Sequence, residues 1–395
     1  MKTNEKLSLL LPVLFCFFIM GFVDIVGTAI SNIKNDFGLS DTVAGLLPNF
    51  IFIWFLVLSI PTGIMMGRIG RKKTVQLSNL ITIIAMLIPF PMLFGLMEKN
   101  LILYLITFAL LGIGNTIIQV ALNPLLTNVV SKERLASRMT LGQFVKALSS
   151  LLGPQIVLFA TLYLGNWSYV FLIYAALTVI SMLWLMVSPI PREPVDNSQK
   201  ATFGSTLSLL KDSFLLKMFI CILLIVGIDV GLNFFIPNIF GKIYGHENPS
   251  SMNTVYFGAR ALGSFVCAMM LVRISAKKIF FWTMVASIAA YLVMMVLALN
   301  PTTAITPQVL FCLMFLPVGF ATGNVFAIVF SFALQHKPEK ADLISSLLIM
   351  GIAGGGAVTF LMGVLSDQLG IVGGMSVLLI CMLYIFFIAV KMKKA

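Results

Sequence analysis

Twelve times between Leu7 and Lys391 the chain runs apolar for 20 residues or more, with short polar connections between the runs. The approximate runs are 8–33, 43–66, 74–97, 101–130, 138–162, 167–190, 215–241, 250–272, 278–299, 306–334, 342–366 and 371–391. An α-helix rises about 1.5 Å per residue, so each run matches the roughly 30 Å hydrocarbon core of a bilayer. In lipid every backbone polar group must be satisfied internally, which leaves only helices or closed barrels. Barrel strands alternate apolar and polar residues, and these runs do not. The pattern predicts an all-α integral membrane protein. Composition agrees: 59% of the 395 residues are hydrophobic and 10% charged, too few charges to cover a soluble protein of this size. Twelve helices take about 240 residues, and the rest leaves no room for a soluble catalytic domain.

The N-terminal stretch has the charge-then-apolar order of a signal peptide, but no small-residue cleavage site interrupts it before Ile33. It is expected to be retained as helix 1. The five cysteines, Cys16, Cys221, Cys267, Cys312 and Cys381, are odd in number and all lie in apolar runs. They are expected to pack, not to form disulfides or bind metal.

The net charge of +12 is unevenly distributed over the loops. One side carries Arg68, Arg71, Lys72, Lys73, Lys132, Arg134, Arg138, Arg192, Lys200, Lys211, Arg273, Lys277, Lys278, Lys337 and Lys340, together with both termini. The other side carries Lys34, Lys99 and Lys242. By the positive-inside rule both termini are expected in the cytoplasm of a bacterial-type inner (plasma) membrane, with membrane lipid as the surroundings. The basic residues are loop anchors, so no nucleic-acid partner is expected.

The longest polar stretch, Pro191–Ser213, separates spans 6 and 7. It divides the chain into a bundle at 1–190, a cytoplasmic linker at 191–214 and a second bundle at 215–395. A repeat supports the division. Gly67-Arg68-Ile69-Gly70-Arg71-Lys72-Lys73 follows span 2, and Val272-Arg273-Ile274-Ser275-Ala276-Lys277-Lys278 follows span 8, offset by 205 residues. At the same offset Asp24 in span 1 matches Asp229 in span 7. Parallel six-helix repeats are an arrangement of transporters whose halves rock about a central site.

Gly63-x-x-x-Gly67-Arg68-x-Gly70-Arg71-Lys72 resembles the loop-2/3 signature of the major facilitator superfamily, with Gly67 where that signature usually has an acid. A carboxylate–arginine latch is therefore not expected within the motif. Arg68, Arg71, Lys72 and Arg273 are the candidate gating and topology residues. Within the superfamily the chain resembles the fucose–proton symporter family. The resemblance rests on Gln119-Val120-Ala121-Leu122-Asn123-Pro124, the run Arg138–Leu148, Gly258-Ala259-Arg260-Ala261-Leu262-Gly263, Ser345–Gly356 and Gly363-Val364-Leu365-Ser366-Asp367. It implies the major facilitator fold, with twelve transmembrane helices in two pseudo-symmetric six-helix bundles. It also implies a monomer, alternating access and uphill uptake of a monosaccharide coupled to a cation. The family's proton-carrying aspartate falls at Thr28, its span-4 glutamate at Gln119 and its sugar-contacting asparagine at Lys146, so the coupling chemistry is expected to be rearranged.

Asp24, Lys146, Asp229 and Arg260 lie near the middle of their spans. A charge there costs roughly 2.5–3.5 kcal/mol on insertion scales, so such residues face an interior cavity and pair. In the family's arrangement the natural pairs are Asp24 with Lys146 and Asp229 with Arg260. Either pair could simply hold its bundle together. Asp24, Thr28 and Lys146 are the candidate cation-coupling residues, for H+ or Na+, and the residues do not choose between the two ions. Lys146 could alternatively contact an anionic sugar.

Asp24 and Thr28, Gln119 and Asn123, and Asp229 and Asn233 are spaced i, i+4, and Gln143 and Lys146 i, i+3, so each pair shares a helix face. Sugars bind through hydrogen bonds to such groups over an aromatic platform. The candidate substrate-binding residues are Asn49, Gln119, Asn123, Gln143, Lys146, Asp229, Asn233, Arg260 and Asn324, with Asn238 a further polar candidate. Trp54, Phe234, Phe235 and Phe326 are candidate platforms, although each could equally be packing. Gly354-Gly355-Gly356 sits inside span 11 without a following Lys-Ser/Thr, and reads as a close-packing or flexing point. No catalytic, metal or nucleotide motif is found, so no enzyme activity, metal or cofactor is expected. The expected function is cation-coupled uptake of a small-molecule sugar. Drug or organic-anion efflux or exchange is the alternative.

Overall fold

The computed structural model describes residues 7–25, 29, 32–33, 36–39, 47, 49–193, 202–242, 244, 252–300 and 305–394. The described residues form helices and the turns between them. The principal helices are α1 (Leu7–Met20), α2 (Asn49–Ile69), α3 (Arg71–Leu87), α4 (Leu101–Leu126), α5 (Leu135–Leu164) and α6 (Tyr169–Val187). They continue with α7 (Ser213–Lys242), α8 (Met252–Met270), α9 (Ala276–Leu299), α10 (Phe315–His336), α11 (Ala341–Met350) and α12 (Gly354–Lys394). Among the described residues, eleven helical stretches are long and apolar enough to cross a membrane. The helix outside that set is α8, whose 19 residues include Asn253, Thr254, Arg260 and Ser264.

Three expectations change in detail. Span 1, expected to run unbroken over 8–33, leaves α-geometry after Met20 and continues as a 3-10 turn over Gly21–Ile25. Span 11 is interrupted by a 3-10 turn at Gly351–Ala353, and Gly370 breaks α12 with φ 72°, a left-handed conformation that glycine adopts without strain. The polar stretch after span 6 contains a short helix, Phe203–Ser208, closed by a capping box between Thr202 and Ser205.

The chain divides into two compact units. The first comprises Met1–Lys132, Val145–Leu209 and Lys337–Met350, and the second Glu133–Phe144, Leu210–His336 and Gly351–Ala395. Each unit thus takes in a short segment from the other half of the sequence.

In the first unit, α4 lies against α2 and α3. Gly112 permits the approach to α2, since a Cβ there would sit 2.7 Å from the Ile51 Cα. One end of the core is aromatic. Phe22 stacks on Tyr174 with centroids 3.8 Å apart, and Tyr104 packs against both Trp167 and Phe171. Beside them Asp36 pairs with Lys99 at 2.7 Å and accepts from the Trp167 indole at 3.1 Å. The segment contributed by the second half, α11, packs on α2 and α4. Gly63 meets Ser346 there, and the Ser345 hydroxyl donates to the Val120 carbonyl at 2.6 Å.

In the second unit, α7 packs along α12 and α8 along α10. Small residues allow the close approach that membrane helices need where no hydrophobic effect drives association. A Cβ at Gly319 would lie 2.8 Å from the Arg260 backbone nitrogen, and Gly354 faces the Leu223 carbonyl. The start of α5 belongs here too: Ser137 donates to the Ala268 carbonyl at 2.7 Å, and Phe144 packs on Phe265. All five cysteines are free.

Candidate functional site

The Asp24 carboxylate stands at the end of the broken first span, is exposed, and accepts a hydrogen bond from the Ser150 hydroxyl of α5. That hydroxyl also reaches the carbonyl of Lys146, one turn earlier, at 3.1 Å. Gly21 lets the two segments meet, because a Cβ there would sit 2.6 Å from the Lys146 carbonyl oxygen. The half-buried Lys146 therefore belongs to the α5 turn against which the Asp24 segment rests. Thr28 lies outside the described residues, as do the side chains of Asn49, Phe234 and Asn238.

On α4 a buried ladder of amides faces the same break. Asn115 donates to the carbonyl of Met20, the last residue of α1, at 2.8 Å. Gln119 donates to the Asn115 side-chain oxygen at 2.7 Å, and Asn123 donates to the Gln119 backbone carbonyl at 2.9 Å. The spacing of four residues places all three on one helix face. The Asn123 side-chain oxygen and the Trp54 indole N–H are buried, with no hydrogen-bond partner among the described residues. Such groups are costly to leave unmet in a low-dielectric interior.

In the second unit, Arg260 and Asp229 form an ion pair at 2.9 Å. The other Asp229 oxygen accepts from the Tyr256 hydroxyl at 2.7 Å. Tyr256 is wholly buried, and its oxygen lies 2.8 Å from the Thr322 hydroxyl. A phenol has one proton, so Tyr256 donates to the carboxylate and Thr322 donates to Tyr256. Both Asp229 oxygens are thus engaged in charge-assisted bonds. Asn233 donates to the Asp229 backbone carbonyl, and Asn324 donates to the Phe320 and Gly263 carbonyls, tying α10 to α8. Gln143 is buried near the start of α5, Phe235 is buried against Gly374, and Phe326 lies 5.5 Å from Phe330.

Among the candidate gating residues, Arg68 and Arg273 are exposed, and Lys72 donates to the carbonyls of Met186 and Ser188. Arg71 is a hub. Its side chain bonds the Asp342 carboxylate at 2.7 Å, the Pro124 carbonyl at 3.2 Å, the Thr127 hydroxyl at 2.9 Å and the Asn128 amide oxygen at 2.6 Å. Its backbone N–H donates to Glu193 at 2.6 Å. The loop motif lacks its own acid at Gly67, and distant parts of the chain supply two. Burial alone would push the Glu193 carboxyl up. The Arg71 and Glu193 backbone N–H groups, the Asn128 amide and the Arg71 charge outweigh it and hold the carboxyl below its ordinary value. The sequence flagged neither acid, since each acquires its role only from a partner more than 100 residues away.

The sequence profile of the Major Facilitator Superfamily matches residues 12–359. The chain belongs to the Major Facilitator Superfamily. It is accordingly a multi-pass membrane protein of a transporter family, not an enzyme. It is 26% identical to a glucose/galactose transporter of Brucella abortus over 94% of this chain and 90% of that one. It is also 26% identical to a putative glucose/galactose transporter of Helicobacter pylori, over 99% of this chain and 98% of that one. The structure superimposes on that of the E. coli fucose:proton symporter with a TM-score of 0.80 at 17% identity, covering 97% of this chain and 98% of the other. The superfamily's all-α fold of twelve helices is therefore the fold of this chain.

Proposed function

We propose that this superfamily member takes up a monosaccharide or sugar derivative by alternating access, coupled to H+ or Na+. The observation that carries the reading is the amide ladder Asn115–Gln119–Asn123, set beside an exposed carboxylate at a broken helix. Amides offer both donors and acceptors and suit polyol hydroxyls. The unmet Asn123 oxygen and Trp54 N–H supply one acceptor and one donor for a ligand. A discontinuous helix places ionisable groups and turn carbonyls where a coupling ion binds. The similarity to glucose/galactose transporters over nearly the whole chain favours a hexose among sugars.

In this reading the two aspartates of the repeat differ in role. Asp229 is paired with Arg260 and bonded by the Tyr256 hydroxyl, and serves as structure and substrate contact. Asp24 is the coupling group: a proton or sodium ion neutralises it and releases Lys146, and the loaded state carries sugar across. The chain works as a monomer with both termini in the cytoplasm, its two six-helix halves joined by the 191–214 linker.

Purified protein in proteoliposomes tests this. Labelled D-glucose and D-galactose are offered under separate proton and sodium gradients, with Asp24→Asn and Lys146→Ala alongside. Uphill accumulation under one gradient is expected, lost in Asp24→Asn while sugar exchange persists. If no sugar accumulates under either gradient, the symport reading is lost. Movement of organic anions or drugs indifferent to Asp24→Asn would favour the exchange alternative.

A further inference from the structure

The two halves treat their matching aspartates differently. Asp229 sits inside the α7 helix, whereas Asp24 sits in the 3-10 turn that follows α1. The 205-residue offset that pairs them also pairs Gly21 with Val226, Gln119 with Asn324 and Asn115 with Phe320. The second half therefore has an amide where Gln119 stands and an apolar ring where Asn115 stands. The half with the asparagine is the half with the broken helix.

The contact explains why. Were α1 to continue as an α-helix, the Asp24 N–H would bond to the Met20 carbonyl four residues back. That is the carbonyl to which Asn115 donates at 2.8 Å. The donor is held in orientation from behind, because the Asn115 side-chain oxygen accepts from Gln119 at 2.7 Å. Turning the amide over would set that oxygen against the Met20 carbonyl and the NH2 group against the Gln119 donor, so one orientation is fixed. All three side chains concerned are buried or exposed as their roles require: Asn115 and Gln119 are buried, and Asp24 is exposed.

We propose that Asn115 is a positioning residue for Asp24: its amide inserts at the Met20 carbonyl and tilts it out of the i→i−4 ladder, which keeps Gly21–Ile25 in the tighter i→i+3 geometry of a 3-10 turn and so sets the direction of the carboxylate. The size of the effect follows from helix geometry. A 3-10 turn advances 120° per residue and an α-helix 100°, so four residues from Gly21 to Asp24 differ by about 80° in direction and about 2 Å in rise. Two discrete arrangements of one short segment are the kind of element that a transport cycle can bias. The importance of that direction for transport rests on the symport reading, but the direction itself can be measured without it.

The test uses the full-length protein with Cys312→Ser, since Cys312 is half-buried and the other native cysteines are buried. Cysteine is introduced at Asp24 (Asp24→Cys) and, separately, at the exposed Lys99 (Lys99→Cys). The rate of labelling by a charged, membrane-impermeant thiol reagent is measured with Asn115 and with Asn115→Leu. The expected result is a change of at least fivefold at position 24 with less than a twofold change at position 99. A smaller change at 24, or an equal change at 99, overturns the proposal. If Asn115→Leu does not fold, Asn115→Ser, too short to reach the Met20 carbonyl, carries the same expectation. In proteoliposomes, with Asp24 restored, Asn115→Leu is expected to raise the half-saturating ion concentration at least tenfold, a much larger factor than any fall in sugar exchange. A parallel loss of both would indicate a merely structural role and overturn the proposal. If the parent protein shows no ion-driven uptake at all, the symport reading fails instead, and the labelling rates still decide whether Asn115 sets the position of Asp24.

Discussion

Removing the Arg71 side chain should destabilise the protein chiefly by what it strands. The guanidinium makes four side-chain hydrogen bonds, and the pair it forms with Asp342 is largely buried, at 9% and 20% side-chain exposure. Breaking a fully buried pair from one side costs about 3–5 kcal/mol, because the remaining charge is left unsolvated. The partial exposure of Asp342 lowers the expected cost of Arg71→Met to about 2–4 kcal/mol. Asp342→Leu should be similarly costly. The double variant, however, removes both members of the pair, and Glu193, which loses the nearby Arg71 charge, keeps its bonds from the residue-71 backbone N–H and Asn128. Thr127 keeps its bond to the Pro124 carbonyl, and Asn128 keeps its amide bonds to Glu193 and the Pro191 carbonyl. Its cost should therefore fall short of the summed single costs by about 1.5–3 kcal/mol. Reversible unfolding in mixed detergent micelles, followed by intrinsic fluorescence, yields the four free energies of the cycle. Additivity within about 0.5 kcal/mol would mean that the two residues do not act on each other, and would refute the hub.

Further outcomes are expected elsewhere. Glu193 has a carboxyl held below the ordinary glutamate value of 4.5, so its stabilisation is fully present above that pH and is lost as pH falls through the lower folded value. Glu193→Gln should flatten the acid limb of a stability–pH curve, and an unchanged limb would exclude Glu193 as its source. Tyr256→Phe removes the hydroxyl donor to Asp229 and should cost about 1.5–3 kcal/mol, read by the same unfolding measurement. Gly319→Ala places a methyl 2.8 Å from the Arg260 backbone nitrogen and should destabilise by about 1–3 kcal/mol. Gly258→Ala, on the partner helix α8, meets nothing within 4 Å and should stabilise by about 0.5–1 kcal/mol. Equal signs for the two glycine variants would contradict the close approach of α8 and α10.

The membrane class and the number of spans were legible in the residues alone, because they depend on quantities a linear pattern carries. Run length matches bilayer thickness, and short polar loops mark where one run ends and the next begins. The pairing of Asp229 with Arg260 was accessible for a related reason: two opposite charges mid-span on neighbouring helices have few other ways to be satisfied. Tertiary structure decided what the pattern could not carry. Asp24 and Asp229 look equivalent at their 205-residue offset, yet only one stands in a helix break, where an asparagine 91 residues away in sequence donates to the Met20 carbonyl and tilts it out of the helical ladder. Arg71 lacks a local acid at Gly67 and finds Asp342, 271 residues on, and Glu193, 122 residues on. A hydrogen bond extends about 3 Å and is indifferent to the length of chain between its ends. Its partners are therefore fixed only when the helices are packed.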